Sequence, residues 1–230
     1  LTPDIYTRGY KKDASYKNAM REIQSSLMNL DTEYIDFYFI HWPDVNTPIG
    51  ETMAALQEMK RRGYIRYIGV SNFTREQIEE AEQYGKIDVQ QPLYSMIDRD
   101  FEELMAWGYE KGIDSITYGS MGAGILSGKI RETPDFDKDD LRLTFYDTYK
   151  EPKFSKVMKL LKVMDEIAYG HNVPVGQVAL NWSTQKTFVG TALVGVRSIE
   201  HADENCRTFD WMLTQEEIDL LDKTIEELCF

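Results

Sequence analysis

Residues 34–44 read YIDFYFIHWPD, an apolar and aromatic run that ends abruptly in histidine, tryptophan and proline. Because large residues follow one another almost without interruption, the run predicts a strand that is buried on both faces. Pro43 has no amide hydrogen to donate to a strand ladder, so the strand should stop by His41. We therefore expect His41 at the carboxyl end of a buried strand, the end at which parallel barrels carry out their chemistry.

The composition of the chain limits its class. Its 230 residues, of which 42% are hydrophobic and 12% aromatic, are enough for one barrel-sized domain. A net charge of -13 argues against nucleic acid or an anionic membrane as a partner through a general positive field. Cys206 and Cys229 lack the spacing of a metal site and fit a reducing compartment, so we expect no metal and a cytoplasmic protein. No apolar run approaches the ~20 residues of a membrane-spanning helix.

Strand patterns alternate with helix patterns along the chain on both sides of residues 34–44. Ser15 is a predicted N-cap, and Thr74 with Gln77 and Thr214 with Glu217 have the spacing of capping boxes. Residues 1–13 read as a loop, and the charged residues 132–150 as an excursion over a barrel mouth. Helices are predicted to about residue 30 and over 51–62, 74–84, 100–110, 152–169, 175–184, from 198 and from 214, and further strands over 64–70, 87–94, 113–118 and 191–196.

This alternation implies right-handed βαβ units and a parallel sheet. Five strands are counted, whereas eight close a parallel barrel, so a five-stranded doubly wound sheet is an alternative architecture. In an open barrel, the apolar strands over 34–41 and 191–196 would have exposed edges. We therefore expect that a missing segment or a partner chain covers these edges.

Polar side chains follow or end all five predicted strands. Each one alone has an ordinary structural explanation, such as a satisfied core histidine or a capping amide. Five in the same topological position favour one shared pocket. These residues are His41, Ser71 with Asn72, Gln91, Tyr118 and Arg197.

Several segments, taken together, make the chain resemble the aldo-keto reductases. They are IHWPD at 40–44, IRYIGVSNF at 65–73, YGSMGAGILSG at 118–128 and GVRS at 195–198, followed by Glu204 and Asn205. They occur in the order and at the spacing of that family across nearly all of the chain. The resemblance implies a single TIM (β/α)8 barrel domain over residues 1–230, with about the last five βα units present. It also implies hydride transfer between NADPH and a small-molecule carbonyl.

The resemblance further implies roles for individual residues. His41 would orient the substrate carbonyl, Ser71, Asn72 and Gln91 would bind the nicotinamide carboxamide, and Tyr118 would stack on the nicotinamide ring. Trp42 and Tyr94 suggest an aromatic wall of the substrate pocket. The pyrophosphate loop would contain Gly119, Ser120, Gly122, Gly124 and Leu126, and the adenosine side would contain Gly195, Arg197, Ser198, Glu204 and Asn205.

Two departures from the family pattern shape these expectations. The catalytic Asp, Tyr and Lys of the family, with its first three strands, have no counterpart in this sequence, and we expect them upstream of residue 1. Gly195 stands where the family often has a Lys for the 2'-phosphate, and His201 where it often has Arg or Gln. Arg197 would then carry the preference for NADP, and NAD use stays open. Alternative functions are a nucleotide-binding pseudo-reductase or interaction module and a phosphate-binding α/β protein without a redox role.

Overall fold

The computed structural model describes residues 2–4, 9–137, 140, 142 and 146–230, and for residues 2–4 and 9–11 it describes the backbone alone. The chain divides into two compact units. The first unit comprises Leu1–Pro92 and Glu103–Ser115, and the second comprises Leu93–Glu102 and Ile116–Phe230. All five predicted parallel strands are present, in the predicted order, as β3 to β7 below.

The first unit begins with an antiparallel pair of short strands, in which Thr2 lies opposite Lys11. The prediction of a loop over residues 1–13 is therefore wrong for these two segments. Alternating strands and helices follow. The elements are β1 (Thr2–Asp4), β2 (Gly9–Lys11), α1 (Tyr16–Leu30), β3 (Ile35–Ile40), α2 (Ile49–Arg61), β4 (Ile65–Ser71), α3 (Arg75–Glu82), β5 (Val89–Gln91), most of α4 (Glu102–Glu110) and the first half of β6 (Asp114–Thr117).

Local sequence signals set the helix ends of this unit. Ser15 is the N-cap of α1, and its hydroxyl accepts from the amide of Asn18. The predicted capping box of α3 is present in full, since Thr74 and Gln77 each bond the backbone of the other. Both predictions are confirmed. The signals are reliable because these side chains satisfy backbone N–H groups that the start of a helix leaves without a partner.

The strands β3, β4, β5 and the start of β6 pair in parallel in that order. Ile40 lies opposite Val70, and Ser71 lies opposite Gln91, so the carboxyl ends of β3, β4 and β5 are in register. One face of these strands packs on the helices. The buried cluster there includes Ile23, Leu27, Met53, Leu56, Met59, Ile65, Ile68, Val70 and Ile78.

No side chain of β3 is fully buried among the described residues, so the prediction of burial on both faces is wrong. Tyr38 and Ile40 pack against the helix-side cluster. On the opposite face, Phe37 is 44% exposed, and its ring stacks on that of Tyr67, 45% exposed, at 5.1 Å between centroids. The aromatic residues on that face make the sequence read as continuously apolar. The described residues of this unit nevertheless do not enclose them.

The second unit is mainly helical. Its helix α6 has the predicted bounds, and α8 begins at the predicted capping box of Thr214 and Glu217. Its elements are the second half of β6, a 3-10 turn (Gly122–Ser127), α5 (Lys153–His171), α6 (Val175–Thr184), β7 (Thr191–Ala192), α7 (Ile199–Cys206), a 3-10 turn (Arg207–Asp210) and α8 (Gln215–Leu228).

Strand β7 is shorter than the predicted strand over 191–196. It pairs with β6 at two positions, Ile116 opposite Thr191 and Thr117 opposite Ala192. The amide of Leu193 still donates to the Thr117 carbonyl at 2.8 Å, after which the chain leaves the ladder. The apolar character of the later residues does not reflect strand pairing, since Leu193 and Val196 are exposed.

The core of this unit is built around α5 and α6. Leu160, Leu161 and Met164 of α5 and Trp182 of α6 are fully buried, whereas α7 contributes no buried residue. Across the part of the chain that the structure describes, no helix is both long enough and apolar enough to cross a membrane.

Candidate functional site

The carboxyl ends of β3, β4 and β5 are joined by a side-chain network in the first unit. The amide nitrogen Nδ2 of Asn72 donates to the His41 carbonyl at 2.9 Å and to Ser71 Oγ at 3.0 Å. The Ser71 hydroxyl donates in turn to the Gln91 carbonyl at 2.8 Å. The structure thus brings together the four predicted residues at these strand ends. The hydroxyl of Ser71 and the side-chain NH2 of Asn72 donate their hydrogen bonds to other groups of the protein.

Asp44 organises the loop that follows His41. Its carboxylate accepts from the amides of Ala14 and Asn46 at 3.1 and 3.0 Å and from the Thr47 hydroxyl at 2.7 Å. Burial opposes ionisation, yet these hydrogen bonds lower the pKa of Asp44 below its ordinary value. An ionised Asp44 therefore holds the turn that begins at Pro43 against the start of α1.

His41 and Trp42 lie at the end of β3, where both can be reached from solvent. The His41 ring is exposed, and its centroid lies 6.2 Å from that of Trp42. The Lys12 ammonium lies 4.9 Å from the centroid of the Trp42 ring, a cation–π distance. This arrangement leaves the imidazole accessible to a ligand and keeps Trp42 as a candidate for an aromatic pocket wall.

Tyr118 and Gly119 follow β6 in the second unit. The Tyr118 carbonyl accepts from the Tyr94 amide at 3.0 Å, and partial burial, with Tyr146 and Asp98 nearby, raises the pKa of the Tyr118 phenol. Gly119 has a φ of +71°, and a Cβ there would lie 2.4 Å from a methyl of Leu93. A side chain at Gly119 would therefore strain the backbone and would also require the Leu93 methyl group to move.

A pocket of about 470 Å³ opens beside Gly119 in the second unit. Seven of the predicted cofactor residues line it. These are Gly119, Ser120, Gly124, Gly195, Arg197, Glu204 and Asn205. Their positions come from the 3-10 turn after β6, the segment after β7 and the inner side of α7.

Basic side chains that the sequence reasoning did not single out also line this pocket. They are Lys129 and Arg142. The Asp140 carboxylate accepts four hydrogen bonds from Arg142, among them Nε to Oδ1 at 2.9 Å and Nη2 to Oδ2 at 2.5 Å. The Arg142 guanidinium lies 3.9 Å from the centroid of the Phe136 ring. This ion pair, with Arg197 nearby, lowers the pKa of Asp140 to about 2. Arg142 lies in the charged stretch without periodicity, so no pattern in the sequence marked it.

Three predicted residues have structural roles. Leu126 is fully buried in the core of the second unit, so it cannot line the pocket. The Ser198 hydroxyl accepts from the His201 amide at 3.3 Å and caps α7. Tyr94 is 0% exposed and stacks on Trp182 at 5.6 Å between centroids, so it lies in the core of the second unit, and its place in a substrate-pocket wall stays a prediction. The ring of a tyrosine can pack in an apolar core, and a position near the end of a strand does not distinguish a core residue from a pocket residue.

The profile of the Aldo/keto reductase family matches residues 5–226. The chain therefore belongs to the aldo/keto reductase family, and its parallel α/β fold is of the TIM-barrel type.

Individual relatives agree with this. The chain is 31% identical to the aldo-keto reductase YhdN of Bacillus subtilis, over 90% of this chain and 62% of the relative. It is 30% identical to the NADH-specific methylglyoxal reductase of Escherichia coli, over 94% of this chain and 67% of the relative. The structure of the glycerol dehydrogenase AKR11B4 from Gluconobacter oxydans matches with a TM-score of 0.89 and 29% identity, over 95% of this chain and 67% of that one. The chain thus spans 62–67% of the length of these proteins.

Proposed function

We propose that this chain is part of an oxidoreductase that uses NADP to reduce an aldehyde or ketone to an alcohol. The observation that carries the proposal is the pocket of the second unit. Lys129 and Arg197 line it, together with Arg142, whose charge is shared with Asp140, in a chain whose net charge is -13. A concentration of cationic side chains against an acidic background favours a polyanionic ligand such as a nucleotide with phosphates.

The donor set of this pocket fits the phosphates and adenosine of a nicotinamide nucleotide. Arg197 precedes the capped start of α7, where free N–H groups and the helix dipole favour an anion. Glu204 and Asn205, on the same helix, supply an acceptor and an amide for a base. We assign the 2'-phosphate to Arg197, which makes NADP the preferred cofactor, while the relative named as NADH-specific keeps NAD as the other outcome.

In the first unit, we assign the nicotinamide carboxamide to Ser71, Asn72 and Gln91. The Gln91 side chain is partly exposed and has both a donor and an acceptor. Ser71 and Asn72 would join by exchanging one of their internal hydrogen bonds for one to the carboxamide. In the second unit, we assign to the Tyr118 ring the role of a stacking surface for an aromatic ring of the nucleotide.

His41 would orient the substrate. The bound cofactor supplies the hydride, and the chain supplies an imidazole N–H directed at the carbonyl oxygen. A donor held in place before reaction stabilises the charge that develops on that oxygen. The Asn72 bond and the Asp44-anchored loop fix the backbone at the His41 carbonyl and in the residues that follow it.

The cofactor assignment is tested by calorimetric titration of wild type and Arg197→Ala with NADPH and with NADH. Loss of one charge-assisted contact should weaken NADPH by about 1.5–3 kcal/mol and NADH by less. Arg207→Ala is the matched control, because Arg207 pairs with Asp203 on the outer side of the same segment. Equal losses for NADPH and NADH would sink the 2'-phosphate assignment.

The catalytic assignment is tested with His41→Gln in the product of the whole reading frame. Turnover of carbonyl substrates should fall while NADPH affinity stays nearly unchanged, since His41 is assigned to the substrate alone. Wild-type protein that binds NADPH tightly but reduces no aldehyde or ketone would instead identify a nucleotide-binding pseudo-reductase. A His41 variant that unfolds would point to a structural histidine.

A further inference from the structure

Helix α7 carries Glu204 and Asn205 of the pocket but is not held by apolar packing. It contributes no buried residue, and Ile199 in its first turn is 84% exposed. Burial of apolar side chains normally fixes a helix on its unit. Another interaction must therefore set the position of α7, and with it the position of the two pocket residues.

Two buried amides on the neighbouring helix α6 supply that interaction. Gln177 and Asn181 are four residues apart, so they lie on one face of α6, and they are 4% and 2% exposed. The Gln177 amide Nε2 donates to the Glu204 carbonyl at 2.7 Å. Glu204 belongs to the last turn of α7, whose carbonyls cannot all be paired within the helix. Gln177 thus satisfies one of these carbonyls and ties α7 to α6.

The other end of the Gln177 side chain is also fixed. Its Oε1 accepts from the Trp211 indole N–H at 3.0 Å, so the amide cannot rotate without losing a buried bond. Asn181 acts further along the chain. Its Nδ2 donates to the carbonyls of Thr208 and Trp211 at 3.1 and 2.9 Å, and its Oδ1 accepts from the Leu213 amide at 3.2 Å. Asn181 therefore holds the segment after α7, and Gln177 holds α7 itself.

We propose that Gln177 is a positioning residue for the adenosine side of the cofactor pocket, acting through its bond to the Glu204 carbonyl. The proposal rests on the proposed function, since it takes this pocket as a nucleotide site. Gln177 would touch no part of the nucleotide. It would keep Glu204 and Asn205 at the place where an adenine can meet them, without contributing to the nicotinamide side.

The test compares Gln177→Met with wild type, using two half-cofactor probes in calorimetric titrations. Methionine keeps the length of the side chain and removes both hydrogen bonds. Binding of 2',5'-ADP should weaken about tenfold, the effect of one or two lost hydrogen bonds. Binding of reduced nicotinamide mononucleotide, which lacks the adenosine, should change less than twofold.

The matched control is Gln90→Met in the first unit. Gln90 is also buried, and its Nε2 donates to Ser115 Oγ at 3.2 Å. Both variants lose bonds of a buried amide, but only Gln177→Met should weaken 2',5'-ADP. Hydrogen exchange gives an independent measure, because amides of residues 199–206 should exchange faster in Gln177→Met and be unchanged in Gln90→Met.

The outcomes separate this inference from the proposed function. A wild type that does not bind 2',5'-ADP contradicts the proposed function. A wild type that binds it, with Gln177→Met equal to Gln90→Met for both probes, overturns the positioning role. If Gln177→Met does not fold, Gln177→Glu decides, because its carboxylate can still accept from the Trp211 indole N–H but cannot donate to the Glu204 carbonyl. That variant should also weaken 2',5'-ADP about tenfold, and unchanged binding of 2',5'-ADP would overturn the proposal.

Discussion

The side-chain amide of Asn72 donates a 2.9 Å hydrogen bond to the carbonyl oxygen of His41, across 31 residues of sequence. Asn72 adopts a left-handed backbone conformation, with φ of 60°, at the end of β4. Asparagine tolerates this conformation better than most residues. The bond therefore links the ends of two neighbouring strands and fixes the backbone that presents the His41 imidazole.

We expect Asn72→Asp to be destabilising. Aspartate tolerates the left-handed backbone, but its carboxylate would face the His41 carbonyl and Ser71 Oγ with an acceptor in place of a donor. The free energy of unfolding in urea should fall by about 1–3 kcal/mol. Asn172→Asp makes the same change at another left-handed position, the C-cap of α5, and should cost only a few tenths. Similar losses for both variants would show that the backbone conformation alone is responsible.

The variants Tyr94→Leu and Trp42→Ala distinguish a residue of the core from a residue of the substrate pocket. Tyr94 is enclosed by Trp182 and Phe188, so Tyr94→Leu should lower the free energy of unfolding by about 1–3 kcal/mol. Its KM for a carbonyl substrate, measured on folded protein, should be unchanged. Trp42→Ala should show the reverse, a small stability change and an altered KM. A changed KM in Tyr94→Leu would return Tyr94 to the pocket wall.

The protein comprising residues 1–230 should self-associate through the edge of strand β3. This strand has one partner strand among the described residues of its unit, and Phe37 and Tyr67 expose aromatic surface beside its free edge. Sedimentation at several concentrations should show species larger than a monomer. Phe37→Lys should reduce this association, because a lysine on an edge strand opposes pairing. Val45→Lys adds the same charge in the exposed loop after β3 and should have no effect. A wild type that is monomeric and unfolds cooperatively would falsify the open-edge argument.

The carboxylate of Glu217 should give the second unit a pH-dependent stability. Burial opposes its ionisation, but hydrogen bonds from Thr214 and His171 lower the pKa of Glu217 below its ordinary value of 4.5. Its contribution is then fully present above pH 4.5 and is lost as the pH falls through the lowered pKa. The difference in unfolding free energy between wild type and Glu217→Gln should shrink across that range. Glu216→Gln removes a charge from the same first turn but no bond of the capping box, so at pH 7 it should lower the unfolding free energy less than Glu217→Gln does.

Helix positions were predictable because their signals are local. Ser15, the Thr74 and Thr214 capping boxes and the bounds of α6 depend on residues a few positions apart, and the structure confirms them. The exposure of Phe37 depends on what covers the sheet, which periodicity does not encode. The same holds for Tyr94, since an aromatic residue near a strand end has the same local pattern in a core as in a pocket wall.

The candidate site was predictable where strand order alone decides it. His41, Ser71, Asn72 and Gln91 end adjacent parallel strands, and the structure joins them by hydrogen bonds. Arg142 could not be predicted in this way, because its position beside the pocket depends on the path of residues 132–150. The only pattern in that segment is its high content of charged residues. Gln177 sits in an apolar helix and reads as an isolated polar residue until its partner, the Glu204 carbonyl, is located.

Strand β7 is joined to β6 by residues far apart in the sequence, as in the bond from the Thr117 hydroxyl to the Thr191 carbonyl, which are 74 positions apart. Closing a loop of that length costs about 4 kcal/mol of chain entropy. The pairing of β6 with β7 at two positions offsets only a small part of this entropy cost. We therefore expect helices α5 and α6, which lie within this loop, to pack before β6 and β7 pair. Arg197 and the start of α7, which come after β7, then reach the pocket late, so nucleotide binding should appear after the helical signal during refolding.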